Sequence, residues 1–313
     1  MNTFKNRKER PVKKRAKILS AIISTFVLFG AALAVARRGL YGWSLFVVIP
    51  LIAGGFSSLI CRPKTLGKAF QIGVATGTLG CALFLFLGLE GFICALMALP
   101  IVVLLTTVGS LLVYYSGTES SGKHPTALAL LLPVSFFYDV NAKPPVYAVE
   151  TSIIVNAPPD RVWKNAVAFP DIPDRPDWVL RTGLAYPIRT RIAGAGLGAP
   201  RNCDLSTGTV EERVTVWDPP KRLQFVVTAT PPAMREMGLY GPIHPKHLNG
   251  YYISKEGRFE LTPLAGNRTL VTGTSWYQHG LWPARYWRWW ADIVVHHIHQ
   301  RVLNHIRALS ETP

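Results

Sequence analysis

Acidic side chains are in short supply. Eighteen Asp+Glu stand against 34 Lys+Arg, a formal net charge of +16 over 313 residues. Cysteine is rarer still: four residues with no CxxC spacing, so neither a zinc knuckle nor a disulfide framework is suggested. Cys61, Cys81 and Cys94 lie in or beside apolar segments and Cys203 stands alone in the polar half, a pattern compatible with a reducing compartment. There is no phosphate-binding Gly-rich loop, no nucleophile elbow and no Ser/His/Asp order. Gly194-Ala195-Gly196-Leu197-Gly198 has closely spaced glycines, but it sits between strand patterns and reads as a flexible hairpin. The long apolar runs of the first 140 residues carry no ionisable residue mid-span, which argues against a transporter or channel.

What the chain does have is apolar length at its front. A basic tail, residues 1–17, holds Lys5, Arg7, Lys8, Arg10, Lys13, Lys14, Arg15 and Lys17 against Glu9 alone. It directly precedes an apolar run, so it reads as a cytoplasmic membrane flank rather than a nucleic-acid arm. Ile18–Ala36 is apolar for about one bilayer thickness, too long for a signal-peptide core. Leu40–Ile60, Ala69–Leu89 and Gly91–Tyr115 follow, giving four expected spans over 18–115. Gly73 and Gly77 in the third would admit a close helix neighbour, unless they are chance in a Gly-rich segment. Basic charge at the N-terminus and at Arg62, Lys64 and Lys68 places those loops in the cytoplasm, against a weaker counter-signal from Arg37-Arg38. With four spans, the rest of the chain is cytoplasmic. Residues 116–145 read as a linker carrying a short apolar stretch, Thr126–Tyr138, that is too short to span comfortably; if it crosses, the following domain moves outside.

Residues 146–313 have the size of one globular domain. Val146–Asn156 is a strand, and Pro158-Pro159-Asp160 opens a helix. Asp171–Trp178 is a short second helix or turn. Six strands follow near Pro187–Ala193, Ala199–Ser206, Thr209–Trp217, Arg222–Thr230, Tyr252–Pro263 and Thr269–Gln278. Trp282–Leu309 closes the chain as a long amphipathic helix. Ile293, Val294, Ile298, Val302, Ile306 and Leu309 share one face; Asp292, His296, His299 and Gln300 fall toward another. A meander of this size would curl around that helix and leave a space between.

The run Ile153-Ile154-Val155-Asn156-Ala157-Pro158-Pro159-Asp160-Arg161-Val162-Trp163 resembles the opening of the START-like, helix-grip (SRPBCC) superfamily, which includes Bet v 1-like and polyketide cyclase/dehydrase-type domains. Trp217-Asp218-Pro219-Pro220-Lys221-Arg222-Leu223 resembles that superfamily's strand turn. Both motifs are structural. The resemblance implies an α+β helix-grip fold, a curved seven-stranded antiparallel sheet around a long C-terminal helix, here preceded by an all-α transmembrane bundle. It further implies a cavity for a lipid, polyketide or other apolar molecule. Members divide into binders, carriers and enzymes, so fold does not decide activity.

The candidate ligand-binding residues are Trp178, Arg201, Glu212, Phe225, His247, Tyr252, Trp276 and His297. In Thr209–Trp217 the valines 210, 214 and 216 share a face with Glu212. Glu212 is therefore either a cavity carboxylate with a raised pKa or half of a buried pair with Arg201. Residues 229–249 form a long Pro-rich loop, read as a lid or as a packed surface loop. His296 and His299 with Asp292 give a weak metal pattern, better explained as surface or capping histidines. Trp287, Trp289 and Trp290 cannot share one face, so at least one is exposed or at an interface, for instance on the bilayer surface. The expectation is a multi-pass cell-membrane protein that binds an apolar or amphipathic small molecule. No cofactor, metal or nucleic acid is called for and no catalytic residue is assigned. The alternatives are a cyclase, dehydratase or hydrolase using Glu212 and a loop histidine, and a ligand-sensing interaction module.

Overall fold

The computed structural model describes residues 30–116 and 131–312. They form two compact units. One holds the residues up to Phe84 together with Ala98–Asn141; the other holds Leu85–Met97 and everything from Ala142 onward. The basic tail and most of the first expected span lie outside the described residues, as do Thr126–Leu130.

In the first unit, residues 30–37 are helical. A π-helical turn, Ser44–Val48, runs directly into α1 (Ile49–Cys61), and α2 (Leu66–Phe86) and α3 (Phe92–Tyr115) follow. Three helices, Ser44–Cys61, Leu66–Phe86 and Phe92–Tyr115, are long and apolar enough to cross a membrane. Small residues let them meet backbone to backbone. Gly73 and Gly77 are buried, and a Cβ at either would come within 2.4 Å of Thr107 Cα or 2.8 Å of Val103 Cα. Thr106 and Ser110 donate across the contact to the carbonyls of Gly73 and Ala69, at 2.8 and 2.7 Å. The short helix α4 (Leu131–Asn141) ends near the start of the Ser44–Cys61 helix. There Asp139 accepts hydrogen bonds from the Trp43 and Ser44 N–H groups at 2.8 and 2.9 Å. A carboxylate satisfies the orphan donors that a helix start leaves and meets the positive end of the dipole.

The second unit has a seven-stranded antiparallel sheet in the order β1-β9-β8-β5-β4-β3-β2. The strands are β1 (Val146–Val155), β2 (Pro187–Ile192), β3 (Pro200–Leu205), β4 (Gly208–Asp218), β5 (Arg222–Ala229), β8 (Tyr252–Leu264) and β9 (Arg268–His279). Strands β6 (Glu236–Gly238) and β7 (Gly241–Ile243) make a separate hairpin. After β1 comes α5 (Pro159–Val167), with its prolines at the first turn, and the chain closes with α6 (Ala284–Glu311). The architecture is the expected helix-grip: a curled sheet around one long helix. Bulges at Glu211/Glu212, Val214/Val216 and Ser254/Glu256 bend β4, β5 and β8, and bulges raise local twist. Gly257 allows the bend to close, because a Cβ there would lie 2.4 Å from the Phe225 ring.

The core joins sheet to helices. Val155, Val214, Leu223, Phe225, Leu261 and Val271 pack with Val162 and Trp163 of α5 and with Val302, Leu303 and Ile306 of α6. Two expectations need correction. Asp171–Trp178 is irregular, and the helical turn comes later, as a 3-10 turn at Leu180–Thr182. The 229–249 stretch is not devoid of elements, since it carries the β6–β7 hairpin and a 3-10 turn at Lys246–Leu248. It is also tied down: Arg235 N–H donates to Gly183 O at 2.8 Å and Ala185 N–H to Ala233 O at 2.9 Å.

Candidate functional site: a cavity between sheet and helix

A cavity of about 270 Å³ lies in the second unit, and its wall is mostly apolar. From α6 it is lined by Trp287, Val295, Ile298, Val302 and Leu303, from the sheet by Val210, Phe225 and Phe259, and from the 229–249 stretch by Pro231, Pro232, Met234 and Leu248. Pockets of this type, apolar with a few placed polar groups, are the usual sites for small molecules.

Arg201 and Glu212 supply the first polar feature. Alternation along β4 turns Val210, Glu212 and Val214 inward and leaves Glu211 and Arg213 exposed. Arg201 sits opposite Glu212 in the β3–β4 register. The side chains are 2% and 6% exposed, and Arg201 Nη1 donates to Glu212 Oε2. Arg201 Nε donates to Val167 O at 3.1 Å, and its guanidinium lies 4.4 Å from the Phe225 ring centroid. Burial pushes the Glu212 carboxyl above the usual carboxylate range, and Arg201 opposes that push. The carboxylate is thus committed to a partner rather than held ready as a lone acid.

His299 is the second. It was expected on the polar face of the last helix, yet it is buried and lines the cavity. The reason is helical spacing: Val295, His299, Val302 and Ile306 recur at four, three and four residues and are all buried. Its Nδ1 is 3.0 Å from Thr151 Oγ1 and its Nε2 is 2.8 Å from Ser275 Oγ. Burial lowers its pKa to about 4, so near neutrality the ring is uncharged, with one nitrogen donating and the other accepting. His296 Nδ1 meets the same Thr151 hydroxyl at 2.8 Å, while Asp292 is taken by Tyr277 Oη at 2.5 Å and by Arg288 at 3.2 Å. The two histidines thus share the Thr151 hydroxyl, and Asp292 is engaged elsewhere.

An aromatic layer closes one end. Tyr252 stacks on Tyr277 with centroids 5.2 Å apart, and Tyr147 stacks on His279 at 5.3 Å. His279 lines the cavity, and burial lowers its pKa to about 4. Burial also raises the Tyr252 phenol. Cys203 also lines the cavity, and burial pushes its thiol up to about 12, so it is no nucleophile at neutral pH.

Of the eight candidates, the structure brings Arg201, Glu212, Phe225, His247 and Tyr252 to this one cavity. Trp178, Trp276 and His297 do not line it. Trp178 is 72% exposed in the irregular segment after α5. Trp276 is stacked under the Arg258 guanidinium at 5.0 Å, and His297 Nδ1 lies 2.7 Å from Asp177 Oδ2. His279, and the cavity position of His299, escaped sequence reasoning although a signal was present: β9 alternation puts His279 in phase with Gly273 and Ser275, and α6 spacing puts His299 in phase with Val302.

No family model and no curated protein matches this sequence. Solved structures do match the C-terminal half. Norcoclaurine synthase from Thalictrum flavum is 10% identical and matches over 55% of this chain and 98% of its own, with a TM-score of 0.35. Zhui aromatase/cyclase from a Streptomyces species is 17% identical over 53% and 94%, with a TM-score of 0.35. A structural-genomics target from Nitrosospira multiformis is 16% identical over 53% and 97%, again with a TM-score of 0.35. At such identities the likeness concerns fold alone, and the chemistry has to be read from the cavity.

Proposed function

We propose that this protein is a membrane-anchored binder that holds one apolar or amphipathic small molecule between the curved sheet and α6. The carrying observation is a cavity of about 270 Å³ with mostly apolar walls, in which Arg201 and Glu212 pair with each other, His299 is hydrogen-bonded to Ser275 and His279 is stacked on Tyr147. The ligand's body would replace water against Phe225, Val295 and Leu303, and burying apolar surface is the main source of affinity available there. Its polar end would meet the Arg201–Glu212 pair or His299. Tethering to a bilayer keeps the cavity near a lipid-partitioned ligand. A diazirine-bearing fatty acid added to the full chain in nanodiscs should crosslink to cavity residues of α6. Ile298→Trp, which fills the space from a half-buried position, should lower that labelling roughly tenfold, as ~1.4 kcal/mol of lost affinity would. Labelling confined to the apolar helices and unchanged by the substitution would contradict the reading.

A catalytic reading on the same cavity has one observation in its favour. Ser275 Oγ, His299 and Thr151 form a hydrogen-bonded chain in which an uncharged imidazole touches two hydroxyls. Such a relay can move a proton, but it lacks the anion that would stabilise an imidazolium.

For the domain's side of the membrane, the position of Asp139 supports a reading other than the one the span count gives. Tyr115, at the end of α3, lies on the face of the 62–65 loop if Ser44–Cys61, Leu66–Phe86 and Phe92–Tyr115 each cross once. Asp139 caps Trp43 and Ser44, at the opposite end of the Ser44–Cys61 helix. This supports a reading in which the chain changes face between 115 and 139 and the domain starting at Val146 lies on the side of the membrane away from the basic loop. The count of four spans gave a cytoplasmic domain; the position of Asp139 supports the opposite side. An epitope in the Gly194–Gly198 turn should be reachable only from the face opposite one placed at 62–65. Reaching both from the same face would exclude this arrangement.

A further inference from the structure

We propose that Cys94, Glu236 and His247 bind one divalent cation, of the zinc type, at the wall of the cavity, with Glu90 orienting the histidine. Single donor atoms of Glu90, Cys94, Glu236 and His247 all lie within 4.8 Å of one another. They come from two stretches of the second unit that are far apart in sequence. Glu90 and Cys94 are four residues apart at the start of α3, Glu236 begins β6, and His247 lies in the 3-10 turn Lys246–Leu248. His247 Nε2 is 3.1 Å from Cys94 Sγ, while Nδ1, on the other side of the ring, is 3.5 Å from Glu90 Oε2. Nε2 thus faces the other donors while Nδ1 faces a carboxylate at ion-pair distance, the sense in which metal-bound histidines are oriented.

Glu236 is 1% exposed. Its Oε2 accepts from Gly91 N–H at 2.5 Å and its Oε1 from Cys94 N–H at 3.2 Å. A Cβ at position 91 would lie 2.3 Å from Glu236 Oε2, so glycine is what lets the carboxylate come this close. Capping a helix start explains one lone pair on each oxygen and leaves a second on each for a cation. A buried carboxylate beside a second one is costly without a positive charge among them. The mixture of thiol, imidazole and carboxylate suits zinc and disfavours magnesium or calcium, which take oxygen ligands.

Binding is balanced simply. Cys94 releases its thiol proton to solvent as the metal–sulfur bond forms, His247 binds as neutral imidazole, and Glu236 binds as the anion. Cys94 and His247 both line the cavity, so a fourth position would face the bound molecule, where a cation can polarise a carbonyl or a water. The same cation would pin the 85–97 segment to the stretch that carries β6 and the Lys246–Leu248 turn.

The test uses the tag-free full chain in detergent, stripped with a chelator and titrated with Co²⁺. The expected result is one equivalent bound, with tetrahedral ligand-field bands and a thiolate-to-cobalt charge-transfer band that Zn²⁺ displaces. Cys94→Ser should remove the charge-transfer band, His247→Ala should abolish stoichiometric binding, and Glu90→Gln should keep the spectrum while weakening affinity ~10–100-fold. Absence of a thiolate band in the native chain overturns the proposal without recourse to any variant. A band that persists in Cys94→Ser overturns it equally, because another thiol would then be the ligand.

Discussion

Replacing Arg201 with Met is expected to destabilise the second unit by about 3–5 kcal/mol, because it strands a buried charge rather than removing a pair. Glu212 is 7% exposed and has Arg201 as its cationic partner across the β3–β4 register. Without the guanidinium, burial alone would act on Glu212 and drive it to keep its proton. Met also gives up the stack over Phe225 and the donation to Val167 O. The double variant Arg201→Met/Glu212→Leu should recover most of the loss, since an apolar pair of similar volume is often as stable as a buried ion pair. Denaturation of both variants in detergent, followed by tryptophan fluorescence, measures this. A single-variant loss below ~1 kcal/mol would mean that water reaches the pair, and the cavity would then be wetter than its lining implies.

The second large effect is with pH. His279 and His299 are buried, and burial lowers both to about 4 in the folded chain, against an ordinary value of 6.5. Above 6.5 both states hold the rings neutral and the stability is fully present. As pH falls from 6.5 toward 4 the unfolded chain takes up protons that the folded chain refuses, so stability is lost across that window. At pH 5 each ring costs ~2 kcal/mol by linkage, and the two together cost ~4 kcal/mol, a large part of a domain's usual 5–15. The melting temperature of the full chain in detergent should therefore fall steeply from pH 7 to pH 5. His279→Gln/His299→Gln should flatten that dependence even though it lowers stability at pH 7. A flat native profile would show that the two rings are reached by solvent.

Much of the fold was legible because alternation and helical spacing are local signals. The six strands of the main sheet that follow α5 fall within two residues of where the turn residues put them, and Pro158-Pro159 marked the helix start. Glu212 opposite Arg201 was legible for the same reason: the valines of β4 fix its face. What escaped depended on partners far away in the chain. Trp178 looked like an aromatic for the ligand site, but the segment after α5 leaves it in solvent. Nothing near Cys94 in sequence announces Glu236 or His247, which lie more than 140 residues away. Thr126–Tyr138 looked too short to span, and only the cap that Asp139 places on Trp43 and Ser44 argues about where its end stands. Length and hydropathy describe a segment alone, whereas topology depends on what it touches.

The most direct measurement is organic extraction of the purified full chain followed by mass spectrometry, on the native protein and on Ile298→Trp side by side. The account predicts one apolar or amphipathic species, near one molecule per chain, in the native protein and strongly depleted in the variant. The same lipids in the same amounts from both would mean that only the apolar helices hold them, and the cavity would not be a binding site.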